Sequence, residues 1–306
     1  MPVVEVSQLR KAYRGQEAVR DISFSIEPGE IFGILGPNGA GKTTTVECLA
    51  GLREPDGGTI RVLGLEPRRD RAELRQRVGI QLQAAALPDK IKVWEALALY
   101  SSFYRRPADW QELLDGLGLA EKRDARFEQL SGGQKQRLSI ALALTGSPEL
   151  AILDELSTGL DPQARRDTWE LIRRVRARGV TVILVTHAMQ EAEELCDRLA
   201  VIDRGRVAAQ GTPAELIARS GAAQQLRFRP SAPLDERLLA DLPEVRGVER
   251  QGARLLVTGT GNLLGAVTAV LAHQQIVAEE LRVGQPTLDD AFAALTGRGA
   301  PAAAIR

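Results

Sequence analysis

Two rhythms of apolar residues run along this chain. Alternation at residues 3–6 and 22–26 predicts half-buried strands, the second ending at the turn Glu27-Pro28-Gly29-Glu30. Short apolar runs at 31–35 and 150–153 predict buried strands, and 180–185 predicts a strand rich in β-branched residues. Residues 59–63 and 78–82 add two more strands. Helical spacing appears at 41–51, 163–178 and 188–196. It also runs through 93–145, broken at Pro107 and near Gly116 and Gly118. Residues 199–202 and 206–209 predict a hairpin turning at 203–205. Strands alternating with helices imply an α/β core with a largely parallel sheet.

The composition shifts at 219–223. Beyond it the pattern predicts strand 225–228, helix 234–242, strands 245–249 and 255–257, helix 263–273 and strand 276–283. This βαββαβ order is ferredoxin-like. A short helix follows at 287–295. The chain therefore reads as a domain over 1–219, a small α+β accessory domain over 224–297, and a flexible Ala/Gly/Pro-rich tail over 298–306.

Composition narrows the function classes. Forty basic residues balance forty acidic ones in 306 residues. Nothing at whole-chain level asks for nucleic acid or anionic lipid. The two cysteines, Cys48 and Cys196, sit in helical apolar stretches and read as buried thiols of a reducing compartment. No N-terminal signal pattern is present. No apolar run approaches the roughly 18–20 residues of a membrane-spanning helix. The expectation is a cytoplasmic protein; were it to serve a transporter, another chain would supply the pore.

Three segments carry the chemistry. Gly36-Pro37-Asn38-Gly39-Ala40-Gly41-Lys42-Thr43 follows a predicted strand and opens a predicted helix, the context that gives the phosphate-binding P-loop pattern its meaning. Its glycines turn backbone N–H groups onto phosphate oxygens, and the helix adds its positive end. Lys42 is placed to reach the β- and γ-phosphates, the Thr43 hydroxyl to ligate Mg²⁺, and Thr44 to support phosphate. The run Leu150-Ala151-Ile152-Leu153-Asp154-Glu155 is a strand ending in two carboxylates. Asp154 suits Mg²⁺, and Glu155 suits orienting or deprotonating a water. The third segment, Leu130-Ser131-Gly132-Gly133-Gln134, opens another helix with exposed N–H donors. One nucleotide needs one phosphate loop, so a second anion-binding helix start suggests that two chains share each nucleotide.

With these three segments in order, the sequence resembles the ATP-binding cassette family over about residues 3–217. The resemblance implies a P-loop NTPase cassette: a RecA-like core, an antiparallel β subdomain and a helical subdomain at about 84–145. It implies ATP and Mg²⁺ as cofactors and a head-to-tail homodimer, with Gly36–Thr43 of one chain facing Ser131, Gly132, Gly133 and Gln134 of the other. In that family's pattern Tyr13 matches the aromatic that stacks on adenine. Gln83 matches the glutamine that senses Mg²⁺ and the γ-phosphate, and is preferred to Gln81, which lies within a strand. Gly159-Leu160-Asp161 matches the loop contacting the opposite cassette. His187, beyond a strand's C-terminal end where α/β sheets present ligand-binding groups, matches the switch histidine. Glu155, His187 and Lys42 are thus the expected catalytic residues. One departure is Leu156, where the family commonly has proline.

The resemblance also selects among function classes. A P-loop kinase or GTPase has no use for Leu130–Gln134. Soluble cassette ATPases usually carry two cassettes or a long coiled coil. The expected role is to energise separately encoded membrane permease subunits from the inner face of the membrane, with the segment between Gln83 and Ser131 docking them, and Trp94, Tyr100, Phe103 and Tyr104 as groove-forming aromatics. The terminal Pro286-Thr287-Leu288-Asp289-Asp290-Ala291-Phe292 looks like the export cassettes of the daunorubicin-resistance group, which move drugs, lipids or polysaccharides. An importer subunit is the alternative, as is a soluble cassette ATPase.

Overall fold

In the computed structural model, which describes residues 1–81 and 87–296, the chain divides into two compact units, residues 1–213 and the residues from Ala214 on. The first unit opens with β1 (Val4–Tyr13) and β2 (Gln16–Ile26), an antiparallel hairpin. Its two-residue turn holds Arg14 and Gly15 at φ 48° and 83°. Left-handed geometry at both turn positions matches the twist of flanking strands. Only the hairpin's inner half is legible as alternation, because residues 14–17 at the tip are polar and exposed.

The unit continues with β3 (Ile31–Leu35), α1 (Lys42–Leu49), β4 (Gly57–Val62), α2 (Arg71–Arg77) and β5 (Val78–Gln81). Three helices follow, α3 (Val93–Ser101), α4 (Trp110–Gly116) and α5 (Gly132–Leu144), then β6 (Leu150–Asp154). The predicted helical stretch at 93–145 thus splits, with 3₁₀ turns at Ala120–Lys122 and Phe127–Gln129. After β6 come α6 (Pro162–Ala177), β7 (Thr181–Thr186), α7 (Met189–Leu195), β8 (Arg198–Asp203) and β9 (Arg206–Gly211). Pro162 opens α6 at a position where its missing N–H costs nothing.

Among the described residues the strands form a nine-stranded sheet ordered β4-β1-β2-β9-β8-β3-β7-β6-β5. From β8 to β5 neighbouring strands are parallel; β4, β1 and β2 pair antiparallel. Every residue of β3, β6 and β7 is buried. That burial on both faces is why they read as unbroken apolar runs. Phe32 and Ile34 of β3 pack in a core with Val46, Ile152, Ile183 and Ile202, and Phe24 stacks on Phe32 at 5.3 Å. Each such side chain contributes about 1.5–3 kcal/mol by leaving water. β3, β7 and β6 are adjacent, with Leu35 opposite Thr186 and Asp154 opposite Val185. Their C-terminal ends therefore release Gly36, His187 and Glu155 side by side along one edge of the sheet.

The second unit contains α8 (Pro213–Ser220, whose first residue belongs to unit one), β10 (Gln224–Pro230), α9 (Arg237–Ala240), β11 (Val245–Gln251) and β12 (Arg254–Gly259). It ends with α10 (Leu263–His273), β13 (Ala278–Gly284) and α11 (Leu288–Thr296). Its sheet is antiparallel throughout, ordered β11-β12-β10-β13. Leu226, Phe228, Leu255 and Val257 pack against Leu263, Val267 and Leu271. The helix expected at 234–242 is reduced to the single turn α9. Asp235 Oδ1 accepts from Arg237 N, fixing its start, and Pro243 biases Leu242 away from the α region. No described helix is long and apolar enough to cross a membrane. Gln83 and the tail at 298–306 lie outside the described residues.

Candidate functional site

Lys42 begins α1, and the loop from Gly36 to Gly41 joins it to β3. Gly39 and Gly41 have φ of 79° and 104°, which L side chains rarely adopt. A Cβ on Gly41 would lie 2.5 Å from the Ala18 carbonyl oxygen, and one on Gly36 would run into the Ile202 carbonyl. The loop is therefore closed down between backbone walls. Gly41 caps α1 without a side chain, so no side-chain oxygen occupies the N–H groups of the first turn. Those donors and the helix's positive end suit a phosphate.

The Lys42 side chain is buried, and its Nζ donates to the carbonyls of Gly36 at 2.7 Å and Pro37 at 3.1 Å. Burial lowers its pKa, opposed by the negative charges of Glu155 and Asp154. Thr43 is exposed beside it and Thr44 half-buried, while Thr45 turns its hydroxyl back onto the Gly41 carbonyl at 2.8 Å.

Asp154 ends β6 almost wholly buried, with 2% of its surface exposed. Burial, reinforced by the Glu155 charge and opposed by Lys42, pushes its carboxyl up to about 6. Its backbone N–H donates to Gln81 Oε1 at 3.0 Å inside the sheet. Glu155 is left-handed, φ 50°, in the sharp turn leaving β6, and its N–H donates to the Val185 carbonyl at 2.8 Å. Such strain persists only where the surroundings enforce it. His187 Nδ1 lies 3.1 Å from Glu155 Oε1. Leu156, the departure from proline, is fully buried. Packing thus anchors a turn that a proline ring would stiffen.

Tyr13, Asn38, Gly39, Gly41, Lys42, Thr43, Thr44 and Glu155 line one cleft of about 540 Å³; Gly36, Asp154 and His187 are not in its lining, and His187 is joined to it through Glu155. Gln16, Glu17 and Ala18 complete its wall. Those three belong to no sequence motif. Their only signal is the hairpin turn that carries β2 back past Tyr13. Gln81, set aside because it lies in a strand, is the amide that fixes Asp154's backbone. The cleft's chemistry fits a triphosphate: a buried cation, a glycine cradle and an uncapped helix start. The Thr43 hydroxyl and Asp154 carboxylate are hard oxygen donors of the kind Mg²⁺ takes alongside phosphate and water.

Ser131, Gly132, Gly133 and Gln134 do not line that cleft. α5 starts at Gly132, with Ser131 as cap. Ser131 Oγ accepts from Gln134 N at 3.3 Å, and Gln134 Oε1 accepts from Ser131 N at 2.9 Å. Added Cβ atoms on Gly132 and Gly133 would meet Leu160 and Ala164. The segment is therefore a neighbour of the 159–161 loop. Asp161 in that loop caps α6, accepting from Gln163 N and Ala164 N at 2.9 Å, and these bonds hold its carboxyl below the usual range. Of the four aromatics expected in a groove, Phe103 is exposed, while Trp94, Tyr100 and Tyr104 are half-buried.

Residues 19–158 match the ABC transporter family. Nod factor export ATP-binding protein I of Paraburkholderia xenovorans (strain LB400) is 46% identical over 70% of this chain and 72% of that protein. The daunorubicin/doxorubicin resistance ATP-binding protein DrrA of Streptomyces peucetius is 37% identical over 97% of this chain and 93% of that protein. A solved ATP-binding subunit of an ABC transporter is 30% identical, with a TM-score of 0.65 over 72% of this chain and 93% of that one. A bacterial ABC transporter cassette solved as a dimer is 25% identical, with a TM-score of 0.61 over 68% and 98%. Phosphate cradle, paired carboxylates and relatives agree: the chain belongs to the ABC transporter family, as an ATP-binding and ATP-hydrolysing subunit.

Proposed function

We propose that this chain energises a membrane exporter by closing as a homodimer around ATP and reopening after hydrolysis. One observation carries the reading: a cleft lined by the phosphate loop, and a second helix start with phosphate-binding character that does not line it. The dimeric cassette among the similar structures supports a partner copy supplying that second half. Relatives named for Nod factor export and for daunorubicin/doxorubicin resistance support outward transport. The chain would sit at the inner membrane face, held by separately encoded permease subunits. Leu99 and Phe103, 48% and 61% exposed, offer apolar contact there. We read the antiparallel βαββαβ second unit as a ferredoxin-like accessory domain.

Within the site, Lys42 leaves its loop carbonyls for the β- and γ-phosphate oxygens. The loop N–H groups hold the phosphates in line, and Tyr13 stacks on the base. Glu155 orients the attacking water and takes its proton, and His187 at 3.1 Å steadies that carboxylate and reaches the γ-phosphate. When bound, Mg²⁺ held by Thr43 and Asp154 neutralises charge on the phosphates. Positioning and charge stabilisation do most of the catalysis, as in other phosphoryl transfers. Gln83 is assigned the sensing of Mg²⁺ and γ-phosphate, and Asp161 contact with the opposite cassette.

The test is Glu155→Gln. ATP affinity is expected to stay within about twofold, since the base contributes to turnover rather than binding. Steady-state ATPase is expected to fall by on the order of 10²–10⁴. Unchanged ATPase in that variant contradicts the role given to Glu155.

A further inference from the structure

Tyr13 is the last residue of β1, at the tip of a hairpin whose turn is exposed. A lone aromatic at such a tip would be free to swing. Here two cations hold it. The Arg53 guanidinium carbon lies 5.1 Å from the ring centroid, and Lys11 Nζ lies 5.8 Å from it. Both are within the reach of a cation–π contact, about 6 Å. Each cation is itself anchored. Arg53 Nε donates to Glu47 Oε2 at 2.6 Å, and Lys11 Nζ donates to Asp56 Oδ1 at 2.6 Å. The other Asp56 oxygen accepts from Ala12 N at 2.7 Å, and Asp56 N donates to the Arg10 carbonyl at 2.8 Å. All four positions 10–13 at the end of β1 therefore touch residues 53–56, Tyr13 through its ring.

One of the two anchors, Glu47, leads back to the phosphate loop. Glu47 sits one helical turn after Thr43 on α1, the helix whose first turn faces the phosphates. Through Arg53, the base-stacking ring is tied to the same helix that carries the phosphate cradle.

We propose that Arg53 and Lys11 are positioning residues of the nucleotide site, which hold the Tyr13 ring in the orientation that adenine stacks on. This rests on the reading of Tyr13 as the base-stacking aromatic. Neither cation reaches the nucleotide; each acts through the ring. Their removal should weaken recognition of the base and leave the phosphates' grip untouched.

The experiment compares two ligands on the full chain with Mg²⁺: ATP, and inorganic tripolyphosphate, which has no base. The variants are Arg53→Met and Lys11→Met, singly and together; methionine keeps an apolar stem and removes the charge. The double variant is expected to bind ATP about three- to tenfold more weakly, because the ring is no longer held in its stacking orientation, and tripolyphosphate as the wild type does. That unchanged affinity also reports an intact fold. In a Tyr13→Ala background the same substitutions should have no further effect on ATP. Equal losses for both ligands would assign Arg53 and Lys11 a general structural role and overturn the proposal. So would full ATP affinity in the double variant when Tyr13→Ala weakens it. If Tyr13→Ala itself leaves ATP affinity unchanged, the base-stacking reading fails, and this proposal with it.

Discussion

The starts of α1 and α5 are both glycine-rich helix N-termini, yet they are finished differently. α1 is capped by Gly41, whose lack of a side chain leaves the first-turn donors unclaimed, and Lys42 brings a buried cation to the same point. α5 is closed on itself by the reciprocal Ser131–Gln134 bonds, and it stands exposed outside the cleft. The first is a site prepared for several negative charges. The second is a stable surface with donors to offer and no pocket of its own. The difference is what a shared active site requires: one half that holds the nucleotide alone, and one that folds without it and adds its contacts late.

The largest effect should come from the half that holds nucleotide alone. Lys42→Ala removes the buried cation, and ATPase should fall by on the order of 10²–10³ or more, with ATP binding weakened in the same titration. Comparable ATP affinity with and without Lys42 would erase the contrast between the halves.

A smaller effect comes from Asp154. Its folded pKa of about 6 lies above the ordinary 3.8, so protonation favours the folded state. The stability this confers is complete below pH 3.8 and lost as pH rises through about 6. Asp154→Asn should therefore stabilise the nucleotide-free protein at pH 7 by on the order of 1–3 kcal/mol, while abolishing turnover. The gain, measured as melting temperature against pH, should vanish near pH 4.

The smallest effect belongs to the self-capped half. Ser131→Ala loses a cap contributing about 1 kcal/mol, roughly 2–4 °C in melting temperature. ATP affinity of the isolated chain should not change. A large loss of single-chain ATP binding would place Ser131 inside the cleft, against the geometry.

Much of this was legible in the sequence because chemistry and fold coincide there. Residues 31–35 and 150–154 are apolar runs, each released into a loop of glycines or carboxylates, and the sheet sets them two strands apart. Less legible was what depends on partners far along the chain. Gln81 looks like an ordinary strand residue until β5 pairs with β6 and its amide meets the Asp154 N–H. Nothing local marks Ala18, whose carbonyl fixes the need for glycine at 41. The tip of the β1–β2 hairpin, residues 14–17, is polar and exposed, so no alternation announces it. The helix expected at 234–242 shrinks to one turn for the opposite reason: apolar spacing was present, but Asp235 and Pro243 bracket it.

The shared site is tested most directly with purified heterodimers carrying Lys42→Ala and Ser131→Arg. When the substitutions sit on opposite chains, a head-to-tail dimer keeps one site with Lys42 from one chain and Ser131 from the other. When both sit on the same chain, each site loses a half. The measurement is nucleotide retained per dimer after rapid removal of free ATP, in a Glu155→Gln background. The account predicts retention with the substitutions on opposite chains and none with both on one chain. The reverse result, retention only when one chain is left wholly intact, would contradict it.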